Sequence, residues 1–198
     1  MFFRNRYKYN GNAKEETNVK RILAIVLLAI LIGTVASALA DAPAYYGALP
    51  QLEFKKKDFV GGQMLAVHTG PGEEYPRAGG WAKASTDETI WMAGIQGDWA
   101  LIMYKKSGSG FRVGWIDKSK LQYRLRGNQL ELASRSGRVS RACTLTDDPK
   151  NRSFSLAELS AGDSVTVFAQ YYDHINWAYV EVWKDNPLCG FIPLDCLE

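Results

Sequence analysis

Two rhythms of hydrophobic and polar residues divide the chain. From Ile22 to Ala40 nineteen residues run without a charge, close to the roughly 20 apolar residues that a membrane-spanning helix needs. A basic stretch ending in Lys20-Arg21 precedes this run, and Ala38-Leu39-Ala40 closes it ahead of Asp41. The order of basic, apolar and A-x-A segments predicts an export signal. A run with no polar face argues against a core helix packed on one side. Two outcomes stand: cleavage after Ala40, or retention of residues 22–40 as a transmembrane anchor, with the basic residues 1–21 held in the cytoplasm. Either one predicts that residues 41–198 lie outside the cytoplasm, secreted or associated with the cell envelope.

Beyond Asp41 the period changes to two. Ala178, Val180 and Val182 alternate with Trp177, Tyr179, Glu181 and Trp183, and Phe111, Val113 and Trp115 alternate with Arg112 and Gly114. Alternation of this kind marks strands. Lys105–Gly110 and Lys184–Pro187 read as hairpin connections, and no segment sustains a helical period. The pattern also repeats. Trp99-Ala-Leu-Ile-Met-Tyr104, then Gly114-Trp-Ile and Leu121, returns 76–78 residues later as Trp177-Ala-Tyr-Val-Glu-Val182, then Gly190-Phe-Ile and Leu197. An upstream strand recurs as Thr89–Ala93 and Ser164–Ala169. The expected fold is all-β: two tandem small barrels over residues 61–124 and 125–198, behind a tether of residues 41–60 in which Pro43, Pro50 and Lys55-Lys56-Lys57 discourage regular structure.

Composition agrees, with 12% aromatic residues and 18 glycines, a mixture suited to short strands and turns. Charge narrows the partners. Of 24 Lys+Arg and 21 Asp+Glu, six basic residues and two acidic ones (Glu15, Glu16) fall in residues 1–40. The body is therefore near neutral, which argues against nucleic acid, since that affinity rests on phosphate neutralisation. The stretch Lys120–Arg141 is locally basic, with Arg124, Arg126, Arg135 and Arg138 against Glu131. It reads as a solvated linker and edge strand, with contact to an anionic polymer as the other reading.

Val67-His-Thr-Gly-Pro-Gly-Glu-Glu-Tyr-Pro-Arg77, together with Trp99, Gly114, Trp115, Ile116 and Leu121, resembles the bacterial SH3 (SH3b) domain family. The second unit resembles it through Trp177, Gly190, Phe191, Ile192 and Leu197, but its opening, Arg141–Pro149, lacks the Gly-Pro-Gly turn and is divergent. The resemblance implies tandem SH3-like barrels that bind cell-wall polymer, peptidoglycan or its peptides. The alternative is a structural module that contacts another envelope protein. It also implies ligand contacts on aromatics of the non-core faces and adjoining loops: Tyr75, Trp91, Trp99, Tyr104 and Trp115 in the first unit, and Tyr171, Tyr172, Trp177, Tyr179 and Trp183 in the second. Two weak sites would then add by avidity on a repetitive polymer. In SH3-like barrels the first and last strands lie close, so Cys143 is expected to pair with Cys196 or Cys189, three buried free thiols being the alternative.

Catalysis is not expected. No H-E-x-x-H, G-x-S-x-G, phosphate-binding loop or dinucleotide fingerprint occurs. His68 and His174 read as turn or surface histidines, and Asp147-Asp148 as a turn before Pro149. The spacing of the three cysteines gives no zinc signature, and nothing calls for a cofactor or metal.

Overall fold

A computed structural model describes residues 49–106, 110–150 and 154–198. The apolar run 22–40, with the basic segment before it and the first part of the expected tether, lies outside the described residues. Among those described, no helix is long and apolar enough to cross a membrane.

The period of two becomes twelve strands: β1 (Lys55–Lys57), β2 (Met64–Ala66), β3 (Lys83–Ser85), β4 (Ile90–Gln96), β5 (Trp99–Lys105), β6 (Phe111–Asp117), β7 (Arg135–Arg138), β8 (Cys143–Thr146), β9 (Ser155–Leu159), β10 (Ser164–Asp173), β11 (Ile175–Trp183) and β12 (Pro187–Pro193). They pair antiparallel in three sheets: a four-stranded β1-β4-β5-β6, a two-stranded β2-β3 and a six-stranded β7-β10-β11-β12-β8-β9. The chain is predominantly β, as the alternation predicts. The sheets are open, however, and no closed barrel forms among the described residues.

The sequence repeat is a structural repeat. Both β4 and β10 carry a bulge, between Met92 and Gly94 and between Val167 and Ala169. Each bulge bends its strand and raises its twist. Gly114 and Gly190 serve the same end in their halves, admitting the backbone of the opening segment: a Cβ at Gly114 would lie 2.8 Å from the His68 carbonyl oxygen, and one at Gly190 2.9 Å from that of Thr146. His68 bridges Trp115 and Thr146 pairs Phe191, so Thr69-Gly70-Pro71 and Asp147-Asp148-Pro149 occupy equivalent places after these residues.

The expected tether is corrected. Lys55–Lys57 form an edge strand on β4; outward lysines suit an edge that must not recruit another chain. Upstream, the chain makes an arm that docks on the other half. Leu52 N–H donates to the Gln170 carbonyl at 2.7 Å, and Gln170 N–H to Pro50 at 2.8 Å. The stretch before β7 mirrors this: Leu130 N–H donates to Ile95 at 2.8 Å, and Ile95 N–H to Asn128 at 2.9 Å. Leu49 is buried in the core of the second half, among Val167, Val180 and Ile192. Leu125 is buried in the core of the first, with Ile90, Ile102 and Ile116. Each half therefore receives the arm that leads into the other, and the expected boundary at 124/125 does not separate them.

A third buried layer joins the halves: Leu101, Met103, Val113 and Trp115 pack with Ala169, Trp177, Tyr179, Cys189 and Phe191, under Leu52 of the first arm. These side chains lie on the second face of the same strands, so β5, β6, β11 and β12 are covered on both sides. Arg112 and Asp147 complete the seam. Arg112 Nε donates to Asp147 Oδ2 at 2.9 Å with both side chains buried, and Val113 N–H donates to the Asp147 carbonyl at 2.8 Å. Asp147 is thus an interior ion-pair partner at the head of the turn before Pro149. Asp148, also buried, accepts from Lys150 N–H in the turn.

Candidate functional site

The crossing of the first arm creates a cleft. After Leu52 pairs beside Gln170, the chain passes from the second half to β1 in the first, and Leu52, Glu53, Phe54 and Lys55 form one wall. Trp91 of β4, Met103 of β5, Phe111 of β6, Tyr171 of β10 and Lys150 form the rest, around a volume of about 420 Å³. Two edge-to-face pairs hold the rings: Trp91 on Phe111 at 5.2 Å and Phe54 on Tyr171 at 5.7 Å between centroids. Such geometry favours fixed orientation over sliding.

Lys150 supplies the cleft's buried-edge charge. Its Nζ lies 5.5 Å from the Phe111 ring centroid and 3.2 Å from Asp173 Oδ2. Burial pulls the ammonium down, but Tyr171 and Asp173 together outweigh it and hold it above its usual range. Burial, with Asp173 beside it, pushes the Tyr171 phenol up against the pull of Lys150. The cleft thus offers ring faces, a neutral phenol and a held cation.

The other expected contacts divide into three groups. Trp115, Trp177 and Tyr179 are corrected: they are buried in the layer between the halves, where Trp115 Nε1 donates to the Tyr179 hydroxyl at 2.7 Å. Alternation put them opposite the core of their own half, and the partner half covers that face. Tyr104 is buried in the first-half core and also leaves the site; burial pushes its phenol up to about 12. Tyr75 and Trp99 are half-buried in supporting positions. Tyr75 donates its hydroxyl to Glu181 Oε2 at 2.5 Å across the halves, and burial followed by this bond raises its phenol pKa. Trp99 packs edge-on to His68 at 5.1 Å, and the His68 Nδ1 is 2.7 Å from the Tyr75 carbonyl oxygen, so His68 is a packing residue of the seam. Tyr172 and Trp183 remain exposed, at 63% and 70%, outside the cleft. Of the ten, only Trp91 and Tyr171 meet in the cleft.

Phe54, Phe111 and Lys150 were missed. Leu52 and Phe54 alternate in a segment read as tether, and that alternation was the available signal. The cleft has no twin: the repeat-related positions of Trp91, Phe111 and Tyr171 hold Thr166, Pro187 and Gln96. The basic stretch is not one patch either. Lys120 pairs with Asp117 at 3.6 Å, Arg138 reaches the Gly162 carbonyl, and Arg141 pairs with Asp195 at 2.8 Å. Among the described residues no group of three or more His, Cys, Asp and Glu side chains is placed to hold a metal ion.

All three cysteines are free thiols. Cys189 faces the layer between the halves and Cys143 the core of the second half, so pairing between them is corrected: they lie on opposite sides of the sheet. The chain matches no family model, no curated protein and no solved structure.

Proposed function

We propose that the body is a non-catalytic, extracytoplasmic binding module that recognises cell-envelope material, peptidoglycan or its peptides, at the Trp91–Phe111–Tyr171 cleft. Its halves are read as two SH3-like units with open sheets that exchange arms. The observation that carries this reading is the pairing of ring faces with one held cation. Aromatic faces stack on extended peptides and sugar rings, and an ammonium at the cleft edge takes a carboxylate, which stem peptides carry. The two glycines at the opening-segment contacts and the equivalent Gly-Pro and Asp-Pro turns support the SH3-like assignment. Residues 22–40 would export the body or tether it to the membrane.

With this aromatic cleft not repeated at the equivalent positions of the second half, affinity comes from that site rather than from two weak sites in tandem. The test is sedimentation of the 41–198 body with purified cell walls, before and after anionic polymers are stripped. The Trp91→Ala, Tyr171→Ala double variant is expected to lose at least tenfold in wall binding while keeping its far-ultraviolet spectrum, because a stacking contact contributes about 1 kcal/mol per ring. Binding equal to wild type by the folded variant would refute the site. A second reading, contact with another envelope protein, is favoured by the exposed Trp81 and Trp183, at 82% and 70%; it takes over if the wild-type body ignores walls altogether.

A further inference from the structure

Near the carboxyl terminus the chain turns back along the start of the second half. Val139 bridges Leu197, Ser140 N–H donates to the Cys196 carbonyl at 2.8 Å, and Glu198 N–H to Arg138 at 3.1 Å. This pairing brings Cys196, fully buried in the second-half core, to Cys143, half-buried at the first position of β8 and packed against the same core. Both thiols therefore belong to the same side of the sheet and pack on one core. Cys189 lies across the sheet and has no such neighbour among the cysteines.

We propose that Cys143 and Cys196 are an oxidisable pair that closes to a disulfide in the presence of a small-molecule or protein disulfide, with Cys189 remaining a thiol. The step balances as two exchanges. The Cys143 thiolate, the more accessible, attacks the oxidant and expels one thiolate, forming a mixed disulfide. The Cys196 thiolate then attacks Cys143 Sγ and expels the second. One Sγ–Sγ bond forms, the two cysteines release two protons and lose two electrons, and the oxidant is reduced to two thiols. Charged groups around the pair are Arg141, Asp195 and Glu158. Burial pushes the Cys196 thiol up to about 12 and raises Cys143, while Arg141 pulls both down. The attacking thiolate is therefore scarce in the folded protein, and closure is slow once folding is complete.

The bridge would enclose nearly all of the second half, from β8 through β12, a loop long enough for a large cross-link effect. The inference rests on thiol geometry and is independent of wall binding. The experiment incubates the purified full chain with defined ratios of oxidised and reduced glutathione, denatures it without reductant in an alkylating agent, and maps the cysteines by fragmentation mass spectrometry. The expected result is a Cys143–Cys196 linkage with alkylated Cys189, and a Tm on the order of 10 °C above that of the reduced chain. Three alkylated cysteines at the most oxidising ratio, or a bridge containing Cys189, would overturn the assignment. The Cys189→Ala variant should still close the bridge, which separates pairing from the packing of Cys189.

Discussion

Asp147 shows how one side chain ties the halves to solution conditions. Burial pushes its carboxyl up from 3.8 to about 6, although Arg112 beside it pulls the other way. A carboxyl raised in the folded state favours folding when protonated. Its contribution is full below the ordinary carboxylate range and is lost as pH rises through about 6. Denaturant titrations of wild type and Asp147→Asn should therefore diverge from about pH 4 to about pH 6, with wild type losing up to about 3 kcal/mol relative to the variant across that window. Parallel curves would mean that Asp147 stays ionised throughout. Asp117 and Asp163 move oppositely: at Asp117 burial raises the carboxyl but the bonds it accepts from Ser119 outweigh it, and at Asp163 the bonds accepted from Lys184 and Ser160 lower it, so what they add is lost only in stronger acid. Replacing Arg112 by Met removes the group that holds the carboxyl down. That variant should lose about 3–5 kcal/mol at neutral pH, with the Asp147 step displaced upward.

At the scale of elements, β6 and β11 were legible from their alternation, and β4, β5, β10 and β12 from the recurrence of their residues 76–78 positions apart or nearby. Trp91 and Tyr171 were legible as aromatics on a mixed face. β1 was not: three lysines carry no apolar alternation, and an edge strand stabilised from one side needs none. The covered faces of β5, β6, β11 and β12 were misread as ligand surface for a related reason. Alternation says which residues share a face and is silent on whether solvent or a second half meets it. Phe54, Phe111 and Lys150 converge only through contacts between distant segments, which local pattern cannot register. The arms give this a measurable form. Leu49→Ala removes a buried side chain from a core built mostly by residues beyond 138, so it should cost about 2–4 kcal/mol. Hydrogen exchange should quicken in β10 and β11 rather than in the adjacent β1. Faster exchange confined to β1 would contradict the docking of this arm.

For the molecule as a whole, the crossed arms and the shared layer of Trp115, Trp177, Tyr179 and Phe191 make the halves interdependent. Fragments 61–124 and 125–198 each lose the arm they receive from, or give to, the other, and each exposes that layer. Neither is expected to fold alone, and the 41–198 body should melt in one calorimetric transition whose van't Hoff and calorimetric enthalpies agree. Two resolved transitions, or a native-like spectrum from either fragment, would show that the halves are autonomous.

The exchanged arms also set how the chain responds to force. Chains of separate domains yield one domain at a time under tension. Here a pull through residue 49 acts first on the Leu52–Gln170 pairing, an anchor in the second half, and loads the first half only after that anchor slips. The direction of pulling then decides which hydrogen bonds are sheared, and the rupture of one arm removes support from the half on the far side. A body strung between a membrane and a wall would behave as one mechanical fuse, giving a single force peak where two independent modules would give a pair.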